Sequence, residues 1–160
     1  MNDLDAVLRA RSLLSTLTPL KTDCGRLCQG ACCQGDDETG MLLFPGEEAL
    51  FESCTFGRVL PANFDLAGKP VSLFVCKGTC NREERPLACR LFPLFLRFKK
   101  NGQTRVKLDP RAASVCPLCD YGIWGLDQAF VSACEDAYAA LLQSPECAAY
   151  LKALDEAFSL

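Results

Sequence analysis

Histidine is absent from the 160-residue chain, and that absence removes a large block of chemistry. No Ser-His or Cys-His catalytic pair can be assembled, and no imidazole can ligate a metal. Any transition-metal site here rests on thiolate, with carboxylate help at most. Long apolar runs are lacking too. No stretch approaches the roughly 18 residues that a membrane-spanning helix needs. Residues 1–20 are broken up by Asp3, Asp5, Arg9 and Arg11. They have no basic start, continuous apolar stretch or small-residue cleavage site, and do not read as a secretion signal. Positive charge is not in excess: the formal charge is −3 and the pI about 5.0, which supplies no general attraction to nucleic acid or an anionic membrane. There is no glycine-rich phosphate or dinucleotide loop, no internal repeat and no low-complexity linker. The lone Trp124 and the set Phe92, Phe95 and Phe98 suit core or strand faces rather than a base-stacking platform.

What the chain has in quantity is cysteine, twelve in all. Its 49% apolar and 23% charged residues are an ordinary globular balance. A chain of this length reads as one domain, residues 1–160, able to bury a core without disulfide staples. With no export signal the expected compartment is the cytoplasm. Thiols stay reduced there, and dense cysteine points to metal or redox chemistry.

Leu4, Val7, Leu8, Leu14 and Leu17 recur at roughly helical spacing behind Asp3 and Asp5, predicting a helix over 3–17. Residues 22–40, rich in Cys, Gly, Asp and Gln, read as loop or short helical turns. A short strand is expected over 41–44, a short helix over 46–53, and a strand over 71–75 leading into Cys76. Residues 94–99 and 104–108 flank Asn101-Gly102, a two-strand hairpin signal. One helix is expected over 126–142. A second begins at Ser144-Pro145, a capping residue followed by proline in the first turn. The fold class is therefore α+β: a small, loop-rich, cysteine-rich centre with a β-hairpin, flanked by one N-terminal and two C-terminal helices. The cysteine-cluster core spans about residues 24–119.

The cysteines divide by pattern. Cys134 lies on the stripe Leu126, Phe130, Cys134, Tyr138, Leu142, and Cys147 shares a face with Leu151, Leu154 and Phe158. Core packing is the expectation for both, since unligated cysteine is among the most buried residue types. Cys54, with no cysteine near it, is read the same way. The other nine sit in polar, glycine-containing segments. Cys24, Cys28, Cys32 and Cys33 follow one another, Cys76 and Cys80 frame Lys-Gly-Thr, Cys89 lies between Arg85-Pro86 and Phe92-Pro93, and Cys116 and Cys119 form a Cys-Pro-Leu-Cys pair. Close spacing with glycine lets two sulfurs reach one ion at about 2.3 Å. As unliganded loop thiols they would be an oxidation liability.

The string Arg85-Pro86-Leu87-Ala88-Cys89-Arg90-Leu91-Phe92-Pro93, with Cys32-Cys33 and the pair Cys76 and Cys80, resembles the YkgJ-like cysteine-cluster proteins, described as zinc- or iron-chelating domains. The resemblance covers about residues 24–93. It implies a metal centre drawing on Cys24, Cys28, Cys32, Cys33, Cys76, Cys80, Cys89 and Cys116. The first cluster here is spaced Cys-x3-Cys-x3-Cys-Cys, one residue longer in each gap than in that family. Glu47 or Glu48 resembles an acid that the family carries between its clusters, and Cys116-Pro117 a downstream Cys-Pro element of its longer members.

Thiolate-only ligation suits zinc, or alternatively iron or an iron–sulfur cluster, far better than magnesium or calcium. Arg85 and Arg90 flank Cys89 and are expected to offset the negative charge of a thiolate site, with Glu47 and Cys119 as further supporting groups. Asp36, Asp37 and Glu38 read as a solvated turn. Three functions compete: a metal-binding protein with a structural or carrier centre, an iron–sulfur-dependent enzyme or redox protein related to flagellin lysine methylases, and a partner-binding module braced by metal. The first is the expectation, with the metal ion as the partner and neither membrane nor nucleic acid involved.

Overall fold

The computed structural model describes residues 2–14, 17, 41–76, 84–109 and 122–158, with the side chains of Trp124 and Phe158 excepted. Among these residues the fold is α+β. The N-terminal helix α1, Asp3–Leu14, buries Ala6, Val7, Ala10 and Leu14. Two alanines on that stripe let it approach a neighbour closely. Leu8, expected on the buried face, is instead 43% exposed, because the true stripe runs one position to its side.

A three-stranded antiparallel sheet follows: β1 (Met41–Leu42), β2 (Gly57–Leu66) and β3 (Lys69–Cys76), in the order β1-β3-β2. Between β1 and β2 lies a 3-10 helix, Glu47–Phe51, where the sequence predicts a short helix. The short helix α2, Leu87–Leu91, then leads into the predicted hairpin, β4 (Leu94–Phe98) and β5 (Thr104–Leu108). Leu94 pairs with Leu108 and Phe98 with Thr104, and Gly102 turns the chain at φ +86°. Leu94, Phe95 and Leu96 of β4 are all buried, so this strand is covered on both faces.

The two C-terminal helices are α3, Gln128–Leu141, and α4, Pro145–Phe158. Asp127 caps α3 by accepting from the Ala129 N–H at 3.1 Å, and Ser144 Oγ accepts from the Cys147 N–H at 3.2 Å at the start of α4. Packing of α3 on α1, of both C-terminal helices on β4, and of α2 on α1 and β1 makes one continuous apolar core. Polar links fasten it: the Tyr138 hydroxyl donates to the Leu94 carbonyl, and the half-hidden pair Arg97–Asp155 joins β4 to α4 at 2.7 Å. A second, smaller cluster of Leu43, Phe51 and Phe74 sits under the 3-10 helix. No helix among the described residues is long and apolar enough to cross a membrane.

Candidate functional site

The Arg85–Pro93 string is built around a helix start. Pro86, fully buried, is the N-cap of α2, and the helix turns Leu87 and Leu91 into the core. This leaves Cys89 half-buried on a different side of the same short helix. The free N–H of Leu87 at the helix start needs an acceptor. It donates to Glu47 Oε2 at 2.7 Å, across forty residues of sequence.

Glu47 is fully buried. Its other oxygen accepts from the Phe44 N–H at 3.1 Å, and the Arg11 guanidinium of α1 meets Oε2 at 3.3 Å. Burial pushes the Glu47 pKa up from its ordinary 4.5, while the Leu87 and Phe44 hydrogen bonds and the Arg11 charge pull it back. Arg11 also donates to the Arg85 carbonyl at 2.8 Å, and Arg90 Nε reaches the same carbonyl at 3.3 Å. Glu47 therefore clamps the cysteine helix to α1 and to the turn after β1. Both of its oxygens accept from these donors. Glu48, the alternative acid, is exposed.

Cys76 ends β3. The register sets Met41 opposite Phe74, so Cys76 lies two residues past the Met41 end of β1. The Cys24–Cys33 sequence leads into Met41 through residues 34–40, and α2, with Cys89, packs on β1. On its other side Cys76 is paired with Gly57 of β2. A Cβ at Gly57 would collide with the Phe74 ring and come within 2.6 Å of the Val75 carbonyl oxygen, so glycine is what lets β2 pass here. Cys76 packs against the small Phe74 cluster together with half-buried Cys54, in keeping with a packing place for Cys54.

Cys24, Cys28, Cys32, Cys33, Cys80, Cys116 and Cys119 lie outside the described residues, as do Asp36, Asp37 and Glu38. Among the described residues no group of three or more Cys, Asp and Glu side chains is placed to hold a metal. Cys134 and Cys147 are both completely buried in the main core, as their helical stripes predict. Burial pushes both thiols up, Cys147 to about 11 and Cys134 further. Such thiols keep their protons and are poor ligands. Cys76, at the end of β3, and Cys89, in the middle of α2, are half-buried, as is Cys54.

Arg11 was not a sequence candidate, yet it holds the Glu47 clamp. The signal was present: position 11 falls between Val7 and Leu14 on the buried stripe of α1, where a charged residue demands a partner. Comparison of the chain with protein-family models, with curated proteins and with solved structures finds no match.

Proposed function

We propose that this chain is a metal-binding protein that holds zinc through clustered cysteine thiolates, in a structural or metal-carrying role in the cytoplasm, with iron or an iron–sulfur cluster as the alternative occupant. The observation that carries the reading is the division of thiols. The two that the helical pattern assigns to packing, Cys134 and Cys147, are sealed in the core, while Cys76 and Cys89 of the clustered set stand half-buried, as does Cys54, which the sequence sets apart because no cysteine lies near it. The clamp of Glu47 on the α2 N-terminus supports it by fixing the helix that presents Cys89. Outer groups that orient a ligand-bearing segment are a regular part of metal sites. Arg85 and Arg90, close to Cys89 in sequence, supply positive charge in the same segment.

A bound ion would add Lewis-acid and cross-linking capacity, and Cys76, Cys89 and the loop cysteines would supply its sulfur ligands. Anaerobic purification of the untagged chain, followed by elemental analysis and visible spectroscopy, tests the proposal. A colourless protein with stoichiometric zinc supports it. Iron with sulfide and broad visible absorption selects the alternative occupant and reopens redox catalysis. A folded, metal-free chain that takes up neither metal overturns it.

A further inference from the structure

A cavity of about 560 Å³ lies between the N-terminal part of α4, the start of β3 and the turn that follows β1. That volume is within the range of about 300–1,000 Å³ typical of small-molecule sites. Phe44, Val71 and Tyr150 form its buried floor, with the Phe44 and Tyr150 rings 5.2 Å apart, and the accessible apolar surface comes from Pro45, Pro70, Pro145 and Ala149. Pro45, Pro70 and Pro145 contribute stiff walls, so the cavity does not depend on long mobile side chains for its shape.

The charged lining is unbalanced. Asp3, Glu48 and Glu146 face one lysine, Lys69, and that ammonium is already paired with Glu146 at 3.0 Å. Asp3 and Glu48 remain. The N-termini of α1 and α4 also reach the cavity, and each offsets about half a charge, which leaves about one negative charge in excess. The Asp3 carboxyl stands 3.3 Å from where a Cβ on Gly46 would be, so the glycine keeps that end open. One Asp3 oxygen accepts the Leu4 N–H at 2.9 Å, which leaves its partner oxygen for a ligand.

We propose that this cavity binds a small organic monocation: a primary ammonium group carried on an apolar body. The ammonium sits at Asp3 and Glu48, and the body lies against Pro45, Pro70 and Pro145. The exposed Lys69–Glu146 pair at the rim tunes the site, because removing the lysine charge would deepen the negative excess.

The test is a titration of the full chain with 2-phenylethylamine, followed by two-dimensional NMR, against 2-phenylethanol and 3-phenylpropionate as neutral and anionic probes. Saturable one-to-one binding of the amine is expected, with shifts at the cavity residues. The alcohol should bind a few-fold more weakly and the carboxylate more weakly still, since Glu48 is exposed and Asp3 half-buried, and water screens part of the charge contact. The double variant Asp3→Asn, Glu48→Gln should lose a few-fold in amine affinity, and Lys69→Met should gain a few-fold. Asn at position 3 keeps the acceptor for Leu4, and unchanged thermal midpoints would confirm that both variants fold. Absence of saturable amine binding, equal binding of the three probes, or a double variant of unchanged affinity would overturn the proposal.

Discussion

Glu47 gives up its hydration completely, and the groups that replace water come from three separate parts of the chain: Leu87 of α2, Phe44 after β1 and Arg11 of α1. Glu47→Ala leaves the buried Phe44 and Leu87 N–H groups without their acceptor and takes the carboxylate from the Arg11 guanidinium, which keeps the Arg85 carbonyl. The expected cost is about 3–5 kcal/mol, the range for breaking a buried charge pair. Urea unfolding measures it, and a midpoint equal to that of the parent would show the clamp to be dispensable. For the core thiols the expected effect is one of pH. Cys147 is held at about 11 against an ordinary 9.0, chiefly by burial, with the Ser144 hydrogen bond opposing. The folded chain thus keeps a proton that the unfolded chain releases above pH 9, and Cys134 moves in the same direction. Stability from this source is intact below pH 9 and falls as pH rises toward 11, by up to about 1.4 kcal/mol per unit for each such thiol. Cys147→Ala should flatten the alkaline slope in urea midpoints taken across that window, and leave metal content unchanged. The places of Cys134 and Cys147 were legible in the sequence because helical periodicity marks a buried face whatever the residue on it. Arg11 was not, because a single arginine on a helix looks the same whether its partner is water or a carboxylate thirty-six positions away.

At the scale of elements, what escaped the sequence is β2. Pro61 and Ala62-Asn63 interrupt its apolar pattern, and the register shifts between Pro61 and Asp65. Both are tolerated because β2 is the outer strand of its sheet, where a missing N–H and an irregularity cost little. The turn that joins it to β3 is equally unobvious. Ala67 and Gly68 both have positive φ, +52° and +75°, the pair of conformations that a tight two-residue hairpin requires, but alanine is a poor occupant of the first position. Ala67→Gly is therefore expected to stabilise the chain by about 1 kcal/mol, a rise of roughly 2–4 °C in thermal midpoint. Calorimetry would show it, and a lowered midpoint would mean that the turn is not strained. Gly57→Ala should act the other way. Its methyl group meets the Phe74 ring and a strand carbonyl, an overpacking that typically costs about 1–3 kcal/mol. The hairpin of β4 and β5 and the helices α1, α3 and α4 were legible because Asn-Gly turns, caps and long periodic stripes act locally. The short helix α2 has no such signature, since its start is satisfied by Glu47 from a remote segment.

Across the whole molecule the apolar core takes in the cysteine-bearing helix α2 through Leu87 and Leu91, and β3 through Val71, but its larger part is helical. The core runs unbroken through α1, the hairpin, α3 and α4, and is fastened by Arg97–Asp155 and by the caps on both C-terminal helices. None of those contacts uses a clustered cysteine. By sequence position, ligation at Cys116 and Cys119 would tie the C-terminal helices to the cysteine centre; both cysteines lie outside the described residues. On the proposed function, the metal's binding energy is folding energy for the segments it joins. Cys89→Ser, or removal of metal by a chelator, is accordingly expected to act locally. Hydrogen exchange should stay slow in α1, α3, α4 and the β4–β5 hairpin, and quicken at the end of β3 and in α2. Metal content should fall in the same samples, whereas Cys134→Ala keeps its metal and loses only about 1 kcal/mol or somewhat more from the core. Two outcomes would contradict this division. Collapse of protection throughout the chain on metal loss would make the centre the keystone of the entire fold. An unaltered exchange pattern and metal content in Cys89→Ser would remove Cys89 from the ligand set, and with it the use of the Glu47 clamp as a support for a metal site.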